Sequence, residues 1–232
     1  MDAADITGWV LGGVQGGLTV GTLLPSGFAA YARLLHPAHL DGDEVRWVTV
    51  AHANDRRAHP GMQWEALTGT WDLDGQPGLW DEPPERGSLP VGPARRLVEV
   101  LQRFTTSEDC YYAVWEGFGA LAVPAGRTAT INMPGRTMLL LRGLLTDAAT
   151  VSMTSAPFEQ SPSLWWPGDR AWCIATDVDH LNTYIAAGQA CVQAMLDEPS
   201  LETWPVDYTD RIDVTSGTAN PVSPPRLDPT QR

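Results

Sequence analysis

The sequence predicts an α+β fold: an antiparallel or mixed β-sheet with about three helices packed on it and one long loop excursion. Three observations lead to this prediction. Apolar residues recur at helical spacing in three segments, β-type segments follow one another after residue 109, and the stretch 51–92 is dense in Pro, Gly, Asp and Arg. Residues 1–214 are predicted to form a single domain, because a chain of 232 residues that is 43% hydrophobic can bury one core without disulfides or metals.

The first 50 residues are predicted to hold two strands and a helix. The uncharged, glycine-rich stretch 6–24 resembles neither a signal peptide nor a membrane span, and we interpret it as a loop that leads into a strand ending near Leu23. A helix is predicted after Pro25, because apolar residues recur there at helical spacing until His36–Pro37 breaks the pattern. A further strand is predicted over 46–50.

A second helix is predicted from about Pro93 to Phe104, since proline suits a first helical turn and the apolar residues share one face. It is followed by six predicted strands, over 110–115, 121–123, 128–133, 136–145, 149–153 and 170–176. The connections between the first of these are too short for helical crossovers, so neighbouring strands are expected to pair antiparallel. The apolar run 138–141 is expected to lie centrally in the sheet, covered on both faces.

A third helix is predicted between Asp179 and Pro199. The excursion 51–92 is expected to run over the surface with one short helix near 62–68 and to be anchored by its tryptophans. Residues 215–232 are rich in Pro, Ser, Thr and Asp, and are predicted to form a flexible tail.

Charge and composition exclude several classes of function. The 28 acidic residues exceed the 15 basic ones and give a net charge of −13, which argues against nucleic acid and membranes as partners. All 15 basic residues are arginines, so a phosphate-binding loop with lysine, a Schiff-base lysine and a kinase lysine are excluded. The three cysteines are far apart, which indicates buried thiols and a cytoplasmic location, and no cofactor is expected.

One segment late in the chain is the densest in side chains that bind ligands. Its candidate ligand-binding residues are Trp165, Trp166, Asp169, Arg170 and Trp172. Indole faces stack on flat or cationic ligands, and arginine binds a carboxylate through two hydrogen bonds. A second interpretation stays open, in which the indole rings fill space between a loop and the sheet while Asp169 and Arg170 pair to hold a turn.

This segment also carries a resemblance. The pattern Leu-Trp-Trp-Pro-x-Asp-Arg-Ala-Trp over 164–172, followed by 175–179 and 183–185, resembles an uncharacterised actinobacterial protein family with no known activity. The match extends to 28–38. The resemblance implies a domain type and a bacterial cytoplasmic origin, and no reaction. The sequence departs from the family at 186–188, where a pair of glycines is expected.

Several polar residues are candidates for catalysis or metal binding. Asp177 and Asp179 lie two residues apart, as in sites that hold Mg²⁺ or Mn²⁺ beside a phosphate, although Asp179 is also placed to cap the third predicted helix. His36 and His39 have a zinc-like spacing, but a proline lies between them, and we interpret His36 as a helix-terminal histidine. Glu116 is a candidate acid or base if the tryptophans fold over it.

Two hypotheses follow. The preferred one is a non-catalytic cytoplasmic protein that recognises a partner protein or a small ligand through an acidic, tryptophan-rich surface, to which Tyr31 and Arg33 of the first predicted helix also contribute. The alternative is a divalent-metal-dependent hydrolase or transferase that uses the Asp177/Asp179 pair. The first is preferred because the sequence contains no complete catalytic constellation.

Overall fold

The computed structural model describes residues 3–14, 16–69, 75–118, 121, 129–133, 135–149 and 160–220. Its α-helices are α1 (Ala3–Gly13), α2 (Trp47–Ala53), α3 (Trp64–Thr68), α4 (Val91–Leu101) and α5 (Gln189–Leu196). Its strands are β1 (Ala30–Leu35), β2 (Ala38–Leu40), β3 (Asp43–Val45), β4 (Asp109–Trp115), β5 (Ala129–Met133), β6 (Arg136–Leu144), β7 (Leu164–Pro167), β8 (Trp172–Ala175), β9 (Asn182–Ala187) and β10 (Thr203–Val206). Short 3₁₀ turns occur at Val20–Thr22, Gln102–Phe104, Leu145–Ala149 and Val214–Ser216.

Eight of the strands form one sheet in the order β10-β1-β9-β8-β7-β4-β6-β5, and β2 and β3 form a separate hairpin. Every neighbouring pair in the large sheet is antiparallel. Directly paired residues of adjacent strands point to the same face. Arg33 pairs with Tyr184, which in turn lies opposite Ala175, and Ala175 lies opposite Leu164. These four side chains therefore share one face of the sheet.

The predicted fold class is wrong. The described residues are dominated by one large antiparallel sheet with five short helices, whereas the sequence predicted about three helices packed on a sheet. The first predicted helix is β1, and the third begins as β9 and becomes helical only at Gln189. Residues 31–35 and 182–187 are buried at every position. A strand covered on both faces shows no alternation, so its apolar residues fit a helical period by coincidence.

Predictions in other parts of the chain agree better with the structure. The helix predicted from Pro93 to Phe104 is confirmed by α4 and the turn that follows it, and α3 confirms the short helix near 62–68. Strands β4, β5, β6 and β8 confirm four predicted strands to within a few residues. The strand predicted over 46–50 is wrong, since that segment opens α2. Most of the strands predicted over 121–123 and 149–153 lies outside the described residues, as does Trp71.

The apolar run 138–141 does not lie centrally. Strand β6 is next to the edge strand β5, and Met138 and Leu140 are buried while Leu139 and Leu141 are only half-buried. Alternate burial is the pattern of a strand with one covered face. The expectation that the run is covered on both faces is therefore wrong.

The buried residues form three clusters. On one face of the sheet, Trp165 and Trp172 pack with the apolar residues of α4 and α5. On the other face, Trp166 and Tyr184 pack with residues of α1 and of the chain near Ile212. The third cluster contains the tryptophans of α2, α3 and residue 80. The predicted anchoring of the excursion is confirmed for Trp64 and Trp80, which are each 1% exposed.

Part of the predicted tail contacts the domain. The Asn220 side chain accepts a hydrogen bond from the Arg57 amide and donates one to the Arg57 carbonyl. Ser216 donates to the Gly61 carbonyl and accepts from the side chain of Gln63. Residues 215–220 thus lie against the loop 57–63, and residues 221–232 lie outside the described part of the chain. No helix in the described ranges has the length and hydrophobicity to cross a membrane.

Candidate functional site

The structure buries the three tryptophans that the sequence singles out. Trp165 is 1% exposed, Trp166 1% and Trp172 0%. Trp165 and Trp166 are consecutive in β7, so their rings enter opposite faces of the sheet. Trp165 stacks on Tyr112 and meets Trp172 edge-on, whereas Trp166 stacks on Tyr111. The rings fill the two cores of the sheet, and they do not form one exposed surface.

Asp169 and Arg170 occupy the exposed turn between β7 and β8 and do not pair with each other. Asp169 accepts hydrogen bonds from the Thr105 hydroxyl, from the amide and hydroxyl of Thr106 and from the Ala171 amide. Burial alone would raise the pKa of Asp169, but the bonds donated by Thr106 and Thr105 hold it below its usual value. Arg170 has a positive φ and its guanidinium lies 5.6 Å from the centre of the Trp9 ring. This turn is tied to the domain by hydrogen bonds.

The structure also buries Tyr31 and Arg33, which were placed on a helix surface by the sequence. Both lie on β1. The Tyr31 hydroxyl donates to the Pro25 carbonyl at 3.1 Å, and burial raises its pKa. Arg33 is 1% exposed, and burial lowers its pKa. Tyr31 shares a buried cluster with Trp166, and neither Tyr31 nor Arg33 forms an exposed patch with the three tryptophans of the late segment.

Asp177 and Asp179 follow β8 and share one arginine. Arg136 Nη1 donates to Asp177 Oδ2 at 2.7 Å, and Arg136 Nη2 donates to Asp179 Oδ2 at 3.1 Å. Asp177 Oδ1 also accepts the Asp179 amide, and the Arg136 guanidinium lies 5.3 Å from the centre of the Trp115 ring. A cation thus already bridges the two carboxylates. In the part of the chain that is described, no three His, Cys, Asp or Glu side chains are grouped to hold a metal ion.

A cleft of about 230 Å³ opens beside this ion-paired group, between the segment 17–23 and one face of the sheet. Its apolar lining consists of Leu18, Leu23, Met133, Met138, Leu164, Ala175 and Ile212. Its polar lining includes Arg136, Asp177, Asp179, His180 and Thr176. Leu18 is 54% exposed at the edge of this apolar lining. Burial lowers the pKa of His180, and Asp177 opposes part of that shift.

A chain of hydrogen bonds leads inward from the cleft. Thr176 and Thr183 hydroxyls are 2.7 Å apart, and Thr183 Oγ1 is 2.9 Å from His36 Nε2. His36 Nδ1 is 2.7 Å from the Glu85 carbonyl oxygen. The carbonyl can only accept, so Nδ1 carries a proton. Burial lowers the pKa of His36 to about 4, so the ring is neutral at pH 7 and its Nε2 accepts from Thr183.

The direction of this chain fixes the role of Thr176. Because the Thr183 proton is donated to His36, the Thr183 oxygen accepts the proton of Thr176. The Thr176 hydroxyl therefore has no proton left for a ligand. A ligand that reaches this hydroxyl from the cleft meets an acceptor only, and must itself supply the donor.

The remaining residues considered from the sequence are Glu116 and the three cysteines. Glu116 lies exposed at the end of β4, and the buried tryptophans of β7 and β8 do not cover it. Cys110, Cys173 and Cys191 are free and buried, as predicted. Burial raises the pKa of Cys110 and of Cys191 to about 12, so neither thiol is ionised at neutral pH.

Sequence reasoning found Asp177 and Asp179 but missed the residues that complete the cleft. Arg136 is 41 positions from Asp177 along the chain, and Leu18 belongs to the segment predicted as a strand. His36 was interpreted as a helix-terminal residue, whereas it follows a buried strand. No local signal joins these residues, because antiparallel pairing over more than a hundred positions brings them together.

Comparison with known proteins adds no assignment at this point: the chain matches no protein-family model, no functionally curated protein and no solved structure. The resemblance to the actinobacterial family stays a prediction.

Proposed function

We propose that this protein is a non-catalytic binding protein for a small organic molecule with an apolar body and a hydrogen-bond donor at one end. The site is the cleft between the segment 17–23 and the sheet. The observation that carries the proposal is the combined lining of this cleft, in which an apolar wall meets the Asp177–Arg136–Asp179 group. Small-ligand sites typically pair apolar walls with a few fixed polar groups.

The polar end of the cleft favours a neutral or cationic donor over an anion. Two carboxylates and one guanidinium leave a formal charge of −1 at this end. His180 contributes no positive charge near pH 7, because burial lowers its pKa. Thr176 supplies an acceptor. A primary amine or an alcohol matches these groups, and a carboxylate does not.

The tryptophan-rich surface of the sequence hypothesis is not part of this proposal, since Trp165, Trp166 and Trp172 are buried. We retain the cytoplasm as the proposed location, and the three free buried cysteines support it. The net charge of −13 supports the proposal that nucleic acid is not a partner.

Titration with benzylamine, benzyl alcohol and benzoate tests the proposal. The three probes share a ring and differ in the group that enters the polar end. We expect benzylamine and benzyl alcohol to shift the amide resonances of residues 163–180 saturably, and benzoate to bind at least tenfold more weakly. Equal affinity for all three probes, or no saturable shift, would contradict the proposal.

A pair of leucine variants locates the bound probe. Leu18 and Leu144 are 54% and 56% exposed, and only Leu18 lines the cleft. Leu18→Ser is expected to weaken benzylamine binding several-fold by removing part of the apolar wall, while Leu144→Ser leaves the affinity unchanged. The same loss in both variants would place the probe elsewhere.

The alternative hypothesis of a divalent-metal-dependent hydrolase or transferase requires Mg²⁺ or Mn²⁺ to displace Arg136 from Asp177 and Asp179. Its signature is distinct from that of amine binding. A melting temperature that rises with either ion, and no longer rises in Asp177→Asn, would support the alternative over the present proposal.

A further inference from the structure

Arg33 is buried, and only one of its three guanidinium nitrogens has hydrogen-bond acceptors. Its Nη1 donates to the Met62 carbonyl at 2.7 Å and to the Pro60 carbonyl at 3.1 Å. Its Nε and Nη2 are buried and have no hydrogen-bond partner. The guanidinium lies 5.4 Å from the centre of the Trp47 ring. The unsatisfied atoms are thus on a side chain whose position is fixed by two carbonyls and an indole.

The two unsatisfied nitrogens form one edge of the guanidinium. The Nε and Nη2 hydrogens of an arginine point the same way, side by side, and match the two oxygens of a carboxylate or a phosphate. Leaving both donors buried without an acceptor is unfavourable, because each has lost its hydrogen bonds to water. An acceptor with two adjacent oxygens would satisfy both donors at once.

This arginine lines a second cavity on the same face of the sheet. The cavity has a volume of about 220 Å³, and its lining includes Arg33, Tyr184, His59, Gly61 and Ser216. His59 Nε2 is also buried without a partner. In the tautomer that carries a proton on Nε2, this atom is a further donor without an acceptor. The cavity is therefore lined by two side chains with unsatisfied polar atoms.

The charge of Arg33 is not paired within the described part of the chain. No described carboxylate forms an ion pair with it. Burial lowers the Arg33 pKa, and the more distant Glu65 and Glu202 oppose only part of that shift. An arginine stays protonated even so, and a buried unpaired charge is strongly unfavourable. A bound anion would remove that penalty.

We propose that the cavity beside Arg33 binds a small monocarboxylate, held by the Nε and Nη2 edge of Arg33 and by His59. Two other charged residues line the cavity: Arg211, whose guanidinium is paired with Asp213, and Asp210. The unpaired charge of Arg33 matches a monoanion, and the Asp210 carboxylate repels a phosphate dianion more strongly than a monoanion. This site goes beyond the proposed function: it takes an anion where the cleft takes a donor, and it shares no lining residue with that cleft.

Titration with propionate, propionamide and inorganic phosphate at constant ionic strength tests the inference. Propionamide has nearly the shape of propionate but carries no charge. We expect propionate to move the Arg33 Nε–H resonance saturably, with at least tenfold higher affinity than propionamide or phosphate. Equal responses to propionate and propionamide, tighter binding of phosphate, or no saturable response would each overturn it.

Two arginine variants test whether propionate binding depends on the paired Nε and Nη2 donors of Arg33 or only on a positive charge. Arg33→Lys keeps the positive charge but loses the paired donors, so propionate affinity should fall at least tenfold. Arg95→Lys, at an exposed position of α4, makes the same exchange far from the cavity and should leave the affinity unchanged. Unchanged affinity in Arg33→Lys would overturn the inference.

The half-buried His59 gives a second test that does not depend on the folding of the Arg33 variant. His59→Phe removes the ring nitrogens and should weaken propionate binding several-fold. Unchanged binding would overturn the role of His59. Benzylamine titration of the Arg33 and His59 variants distinguishes the two sites. Loss of propionate binding beside Arg33 should leave benzylamine binding in the cleft intact.

Discussion

His36 and Arg33 are two buried polar side chains near the end of β1, and they differ in whether they carry a charge. His36 is 0% exposed and both of its ring nitrogens have hydrogen-bond partners. It avoids the cost of a buried charge by remaining neutral, which is why its pKa falls to about 4. Arg33 cannot lose its proton under ordinary conditions, so it keeps a charge that the described residues leave unpaired. The neutral His36 predicts that stability depends on pH, and the unpaired charge of Arg33 predicts a bound anion.

The free energy of unfolding should fall as the pH drops below about 6.5. The pKa of His36 is about 4 in the folded protein and 6.5 in the unfolded chain. Between pH 4 and pH 6.5 the unfolded chain therefore binds more protons than the folded protein. The stabilisation from neutral His36 is complete above pH 6.5 and is lost on the way to pH 4. The full loss is about 3 kcal/mol, from about 1.4 kcal/mol per pKa unit. Urea unfolding from pH 7.5 to pH 4 measures it.

His59 and His180 also have lowered pKa values, so a control is needed to assign the effect. His36→Gln should flatten the pH profile over this window, whereas His52→Gln, at an exposed position of α2, should leave it unchanged. A His36 ring that titrates near pH 6.5 in an NMR experiment would contradict the assignment.

At the level of helices and strands, sequence periodicity identifies elements with one exposed face and fails for elements with none. Helix α4 has a buried face that includes Leu97 and Leu101 and an exposed side with Arg95 and Glu99, and it was predicted closely. Strand β9 is buried at all of its positions, so nothing in its pattern marks it as a strand. Its side chains alternate between the buried clusters on the two faces of the sheet.

The candidate site shows the same limit. Asp177 and Asp179 are adjacent in sequence and were identified as a pair, but their partner Arg136 comes from β6. Arg33 was predicted as a binding residue on the expectation of an exposed helix face, whereas the structure buries it in a strand. Sequence patterns report local neighbours, and both cavities are lined by strand and loop residues that lie far apart along the chain.

The burial of β7 gives a prediction that separates packing from surface recognition. Trp165→Ala removes a ring that is 1% exposed and stacked on Tyr112, so it should destabilise the protein by about 3–5 kcal/mol. Trp204→Ala, at a half-buried position of the edge strand β10, should cost clearly less. Equilibrium unfolding in urea measures both. An effect below about 0.5 kcal/mol for Trp165→Ala would be typical of a surface residue and would restore the tryptophan-rich surface as a candidate.

On the scale of the whole molecule, both chain ends of the described part cover the same face of the sheet. The Tyr208 hydroxyl donates to the Gly13 carbonyl, and the Val20 amide donates to the Asp210 carbonyl. Residues 216–220 continue to the loop 57–63, where Asn220 bonds both backbone groups of Arg57. Ser216 and Gly61 lie in the wall of the cavity beside Arg33. Residues 216–220 therefore hold the loop 57–63, which forms part of the wall of that cavity, in place.

Asn220→Ala should release this connection. Asn220 is 4% exposed and makes two hydrogen bonds, so its loss should lower the free energy of unfolding by about 2 kcal/mol and expose the loop 57–63 to proteases. Urea unfolding and limited proteolysis measure the two effects. Asn132→Ala, at an exposed position of β5, is the matched control and should change the free energy of unfolding by less than about 0.5 kcal/mol. If the two variants were equally stable and equally resistant to cleavage, residues 216–220 would not fasten the loop, and the cavity wall would depend on the excursion alone.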